Sequence, residues 1–177
     1  CIVTTPYENL HILPSSLDLA AAELEISDKK GRESILKNAL LPIKQYYDYI
    51  IIDCPPSLGL ITTNALTASD TFLVPIQCEY YALEGLTQLM STVRRIKRQY
   101  NNTIDIEGVL LTMYDGRLNL TQQVVEEVKK FFPRKVFKTV IPRGVRLSEA
   151  PSFGMPVIYY DKNCKGSITY TELAKEI

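Results

Sequence analysis

The sequence predicts an α/β fold, doubly wound, with a mostly parallel sheet covered by helices on both faces. Two observations carry this. Five strand-like runs alternate with helical stretches along one uninterrupted chain, which is the order of βαβ units. One of the runs, 49–53 (YIIID), is apolar and β-branched up to its closing carboxylate, the pattern of a strand buried on both faces of a parallel sheet. The 177 residues, 46% hydrophobic and 23% charged, suit one domain, 1–177, with a sizeable core.

Taken in order, 10–13 is a short apolar run ending at Pro14 and reads as a strand. Ser16 reads as the cap of a helix over LDLAAAELEI, whose Ala and Leu recur at helical spacing. Residues 31–46 read as a second amphipathic helix, followed by the strand 49–53. A helix over 60–68 leads to a strand over 71–76, and 84–100 is a long helix. A strand over 106–113, a helix over 120–132 stopped by Pro133, a strand over 136–141 stopped by Pro142, and a helix over 167–177 complete the alternation. In such folds the chemistry gathers in loops after the carboxyl ends of strands. Those loops are 53–59, 77–84, 114–119 and 142–149.

Composition excludes several classes. No apolar run is long enough to cross a bilayer, and CIVTTPYENL is no signal peptide. The first residue is Cys rather than Met, so a fragment or processed product is expected. Four scattered cysteines and a single histidine argue against structural zinc and for free thiols. A Ser–His or Cys–His triad would have to rest on His11, which reads as a strand residue, and no nucleophile–base pairing is visible. The zero net charge is uneven: 1–93 carries 5 Lys/Arg against 11 Asp/Glu (−6), 94–146 carries 12 against 5 (+7), and 147–177 carries 3 against 4 (−1). A basic middle segment fits either an anionic partner or a solvated helix face.

Several residues could carry chemistry. Asp53 closes an apolar strand and precedes Cys54-Pro55-Pro56; such a carboxylate can hold Mg²⁺, directly or through water, or simply cap the turn. Arg117 lies between a strand and a helix, and Arg143 and Arg146 follow another strand. Their planar donor forks suit phosphate, and the three read either as one anion-binding surface or as ordinary surface side chains. The run 94–98 (RRIKR) closes a long helix, where the helix dipole alone accounts for cations. Tyr80, Tyr81 and Glu84 read as core and rim. The chain contains no Gly-Lys pair, so it holds no G-x-x-x-x-G-K-[ST] phosphate loop.

The strings YDYIIIDCPPSLGLITTNAL (47–66), PIQCEYYALEGLTQL (75–89), EGVLLTMYDGRLNL (107–120) and IPRGVRLSEAPSFGMPV (141–157) together resemble the ParA/Soj family of chromosome- and plasmid-partitioning ATPases. The resemblance covers essentially the whole chain and is closer to Soj-like ParA than to the MinD branch. It implies a deviant-Walker-A P-loop NTPase fold and Mg²⁺-ATP as cofactor. It further implies an ATP-dependent homodimer, binding to DNA without sequence preference, hydrolysis stimulated by a ParB-type partner, and a cytoplasmic, nucleoid-associated setting without a membrane. Asp53 matches the Walker B aspartate that serves Mg²⁺ and catalysis. Pro55 and Pro56 match the switch loop. Met113, Pro142, Arg143 and Gly144 match nucleotide-binding positions, Pro142 and Gly144 near the adenine, and Arg117 and Arg146 match arginines used for DNA.

The chain departs from the family pattern at Gly144, where Asn is usual, at Gly116 and Leu118 around Arg117, and at Phe153, where His is common. The family's P-loop strand and its lysines precede the point at which this chain starts. The 177 residues by themselves are therefore expected to turn over no ATP, and the strand ending at Asp53 to present an unpaired edge. Two other readings stand beside the ATPase: a non-catalytic remnant that binds DNA or partner without nucleotide, and a MinD-like membrane-positioning ATPase. The last would need an amphipathic membrane helix, whereas the chain ends TYTELAKEI.

Overall fold

The computed structural model describes residues 1–79 and 82–177, without the side chains of Ala20 and of residues 82–84. Tyr80 and Tyr81, and the side chain of Glu84, lie outside the described residues. The chain falls into two compact units, 1–68 and 69–177.

In the second unit, β3 (Thr71–Gln77) pairs in parallel with β4 (Asp105–Thr112), joined by α4 (Ala82–Gln99). β4 alternates faces, as a strand must. Val109 and Leu111 point into a core with Val74, Ile76 and Leu86, closed by Val124 and Val128 of α5 (Asn119–Phe131). Leu110 points the other way, against Phe137, Ile141 and Leu173 of α8 (Lys165–Glu176). Helices thus cover both faces of a parallel ladder, as the sequence predicts. The ladder slips one residue between Phe72 and Leu73. There, β4 presents Gly108, where a Cβ would strike the Phe137 ring, with Cζ at 2.8 Å. Only glycine lets this ring lie against the strand.

The strand expected over 136–141 is interrupted. Lys135 and Phe137 hydrogen-bond to Val109, at 2.6 and 3.0 Å, and Ile141 bonds to Leu111 and Tyr114, at 2.9 and 3.0 Å. Between these stretches the N–H groups of Lys138 and Thr139 donate instead to the Glu176 carboxylate, at 2.6 and 3.0 Å. A side chain from α8 has taken the donors that a ladder would use. Beyond the ladder lie the short helices α6 (Val145–Glu149) and α7 (Val157–Tyr160), with a 3₁₀ turn, Ala150–Phe153, between them.

In the first unit, β1 (Val3–Thr4) pairs antiparallel with β2 (His11–Ile12), inside the predicted run 10–13. Helix α1 (Asp18–Glu25) begins two residues after Ser16. Ser16 does not cap it; its hydroxyl accepts from Asp18 N–H at 3.3 Å in the turn ahead. The single helix expected over 31–46 is instead a 3₁₀ turn (Arg32–Ser34), α2 (Ile35–Leu40) and a second 3₁₀ turn (Lys44–Tyr46). Pro42 cannot supply the N–H that a continuous helix needs. The Asn64 amide, on α3 (Leu60–Ala68), also takes the Arg32 carbonyl at 2.7 Å and the Leu36 N–H at 3.1 Å.

The largest departure is at 49–53. Among the described residues this segment forms no strand: Tyr49 is 72% and Ile51 91% exposed. A β-branched run needs a neighbour on each side to become a buried parallel strand. Among the described residues of its own unit the only ladder is the two-residue pairing of β1 with β2.

Candidate functional site

At the carboxyl end of β4 the chain turns through Met113, which holds a left-handed φ of 50°, a conformation uncommon for a side chain of this size. The next residue, Tyr114, is tied to 141–142 by its N–H to the Ile141 carbonyl at 3.0 Å. The two strand-end loops therefore lie side by side, and a cavity of about 610 Å³ opens between them. Met113, Pro142, Arg143 and Gly144, the four residues assigned to nucleotide from the sequence, all line it.

The remaining wall comes from residues the sequence reading did not single out. Leu147 and Ser148 reach it from α6, Met155 and Pro156 from the following turn, and Tyr170 from α8. Leu147 is pressed against Gly166, where an added Cβ would meet Leu147 Cγ at 2.6 Å. Gly144 is extended (φ −154°), and a Cβ there would meet only Leu147, at 3.8 Å. The backbone does not require glycine at 144; its effect is to leave room. Thioether, proline and aliphatic walls with a few polar groups suit the flat faces of a heteroaromatic base.

Arg143 lines the cavity, and further charged side chains stand in and after the same two loops. Arg117 donates twice to the Asp115 carboxylate, at 2.9 and 2.6 Å, and its backbone N–H adds a third bond at 3.1 Å. These bonds, with the charges of Arg117 and Arg143, hold the Asp115 carboxyl at about 2. Arg143 reaches Glu79 at 3.5 Å. Arg146 bridges Glu149 at 2.9 Å and Asp161 at 3.4 Å. All three arginines keep much of their surface in solvent, Arg117 most of all at 88%. Each is nonetheless met by a carboxylate of its own chain, which the sequence reading did not foresee. The Asp115–Arg117 and Arg146–Glu149 spacings were readable; Glu79 and Asp161 reach their partners only through the fold.

Asp53 belongs to the other unit. It is exposed, at the end of the unpaired segment, and Pro55 and Pro56 follow it in an exposed loop leading to α3. The loop is fastened at its far end: Thr62 Oγ1 donates to the Ser57 carbonyl at 2.6 Å, and the Glu23 carboxylate accepts from Leu60 N–H. The Cys54 thiol is pushed up, first by desolvation and then by the Asp53 charge. Among the described residues no three His, Cys, Asp or Glu side chains gather to hold a metal. A lone exposed carboxylate fits Mg²⁺, which keeps most of its waters and takes its other oxygens from phosphates. Among the described residues no helix is long and apolar enough to cross a membrane.

Comparison with known proteins supplies the family. The AAA_31 family model, described as an AAA domain, matches residues 1–106. The chain is 60% identical over 176 residues to the sporulation initiation inhibitor protein Soj of Bacillus subtilis (strain 168), covering 99% of this chain and 70% of that protein. It is 50% identical over 174 residues to the chromosome-partitioning ATPase Soj of Treponema pallidum (strain Nichols), covering 98% and 69%. The crystal structure of cobyrinic acid a,c-diamide synthase from Mycobacterium smegmatis with bound ADP and magnesium superposes with a TM-score of 0.82 at 34% identity. The match covers 98% of this chain and 63%, less than two thirds, of that one. The chain belongs to the Soj/ParA family of chromosome-partitioning ATPases and shares the P-loop NTPase fold.

Proposed function

We propose that this chain is part of a Mg²⁺-ATP-dependent ATPase that partitions chromosomal or plasmid DNA, with both units in one ATPase domain. The protein would dimerise on ATP, bind DNA without sequence preference through Arg117 and Arg146, and hydrolyse ATP when a ParB-type partner stimulates it. The observation that carries the reading is the cavity between the strand-end loops, because four residues chosen from the sequence alone converge on it.

ATP, when bound, supplies the phosphoryl group for transfer, and Mg²⁺ neutralises its charge. In the described cavity Met113, Pro142 and Gly144 would receive the base, and Arg143, held at the rim by Glu79, would face the anionic side of the ligand. Asp53 would hold Mg²⁺ through water, and Pro55 and Pro56 stiffen the loop that links this carboxylate to α3. The chain's residues include no lysine-bearing phosphate loop, so its own groups account for base and metal contacts rather than for the phosphate cradle.

Photolabelling with 8-azido-ATP, followed by peptide mapping, tests the base site. Label is expected in peptides containing 112–114 or 141–157, suppressed by excess ATP and lost in Gly144→Phe, whose ring fills the cavity. Label confined to other peptides, or unchanged by Gly144→Phe, removes the cavity from the nucleotide site.

A further inference from the structure

We infer that a second DNA-binding surface lies at the opposite end of the sheet from the cavity, where α4 ends and β4 begins, and that it takes the phosphate backbone of duplex DNA. Asp105 opens β4 and Thr112 closes it, so the two ends stand about 25 Å apart at the usual rise per residue.

The contrast in charge between these ends carries the inference. In and after the strand-end loops, Arg117, Arg143 and Arg146 are each bonded to at least one carboxylate among Asp115, Glu79, Glu149 and Asp161. At the far end six cations gather: Arg94, Arg95, Lys97 and Arg98 of α4, and Arg134 and Lys135 after α5. Lys97 and Lys135 both reach the single carboxylate of Asp105, at 3.9 and 3.5 Å, which fixes the end of α4 and the start of 134–141 beside one another. Asp70 and Glu107 are the other acids of these strand ends. Among the described residues no carboxylate pairs with Arg94, Arg95, Arg98 or Arg134, and all four are exposed.

The helix dipole explains only part of this. It favours cations in the last turn of α4, which holds Lys97 and Arg98, but it falls off before Arg94 and Arg95 and does not act on Arg134. On α4 Arg94, Arg95 and Arg98 occupy one arc of the helix, opposite Val93 and Ile96, which are 5% and 0% exposed, while Lys97 lies at the edge of the buried face beside Val93. Unpaired arginines in a row carry a standing electrostatic cost that an extended polyanion removes. Four of the six cations are Arg, whose fork matches phosphate oxygens. A membrane surface is the weaker fit, because the apolar side chain within 94–98 is the buried Ile96 and the large apolar groups exposed beside the patch are Tyr100 and Phe131, at 38% and 65%.

The surface is separate from the one proposed at Arg117 and Arg146, and the two can be tested apart. Fluorescence anisotropy of a labelled duplex would be measured on the complete protein, with and without Mg²⁺-ATP, over a salt series. Arg94→Glu/Arg98→Glu is expected to weaken binding at least tenfold for any sequence. Arg94→Gln/Arg98→Gln, which removes the charges without introducing opposite ones and guards against misfolding, is expected to flatten the slope of log affinity against log salt by about 2. Loss in these variants with Arg117→Glu/Arg146→Glu unaffected supports this surface and overturns the other. Loss only in Arg117→Glu/Arg146→Glu overturns this surface and leaves the other standing. If the helix variants bind DNA as the parent does but lose binding to phosphatidylglycerol vesicles, the surface serves lipid and the inference fails.

Discussion

At the scale of single residues, the site is governed by carboxylates that the arginines already hold. In the proposed DNA complex, turning the Arg117 guanidinium from Asp115 to a phosphate breaks its two side-chain hydrogen bonds to that carboxylate, while the backbone N–H bond can stay. Removing the competing charge should therefore strengthen DNA binding: Asp115→Asn is expected to raise affinity about two- to fivefold, within the ordinary range for an exposed ion pair. Unchanged or weaker binding in an anisotropy titration would show that Asp115 orders Arg117 for DNA instead of restraining it. The pH dependence has a definite sign. Because the folded carboxyl titrates at about 2, below the ordinary value near 3.9, the pair is fully formed above about pH 4 and is lost as pH falls toward 2. The carbon-13 shift of the Asp115 carboxyl should accordingly have its midpoint near 2. Titration near 4 would mean that the pair does not persist in solution.

At the scale of elements, two side-chain approaches set the path of the chain, Phe137 on Gly108 and Glu176 on Lys138 and Thr139. Gly108→Ala should drive the Phe137 ring off β4 and lower stability by about 1–3 kcal/mol, read from the urea midpoint. A loss below about 0.5 kcal/mol would mean that the ring moves freely. Glu176 replaces strand neighbours for Lys138 and Thr139. Its carboxyl sits below its ordinary value because these N–H groups outweigh the desolvation that would raise it. Its stabilisation is thus present above the ordinary carboxyl range and fades as pH falls through it. Local pattern predicts strands over 71–76 and 106–113, observed at 71–77 and 105–112, and the helices that cover them, whereas the four cavity residues follow from the family resemblance and not from local pattern. The sequence could not show the break at 138–139, whose cause lies 37 and 38 residues away. Nor could it show that Asn64 would divide the helix expected over 31–46, or that Glu79 would meet Arg143.

At the scale of the whole molecule, order is unevenly distributed between the two units. The second unit holds a parallel ladder in which Val109, Leu110 and Leu111 are 0%, 4% and 2% exposed, with hydrogen-bonded neighbours on both sides. The first unit holds the apolar stretch 49–53, in which Ile50 and Ile51 are 39% and 91% exposed and which among the described residues joins no ladder. The sequence marked this stretch as a buried strand because β-branched runs seldom face water, and in the described chain its side chains still lack cover. Hydrogen exchange separates the two situations, since an amide without a bonded partner exchanges directly while a core strand exchanges only through larger opening. Amides of 49–53 are expected to exchange at least a thousandfold faster than those of 109–111 in dilute protein. Because an uncovered apolar run invites pairing with another chain, protection at 49–53 should rise with protein concentration while that of 109–111 stays constant. Equal protection of the two stretches at the lowest concentration would instead place 49–53 in a ladder within the single chain. Asp53 would then sit at the end of a true strand, held for Mg²⁺ by the sheet rather than by a loose segment.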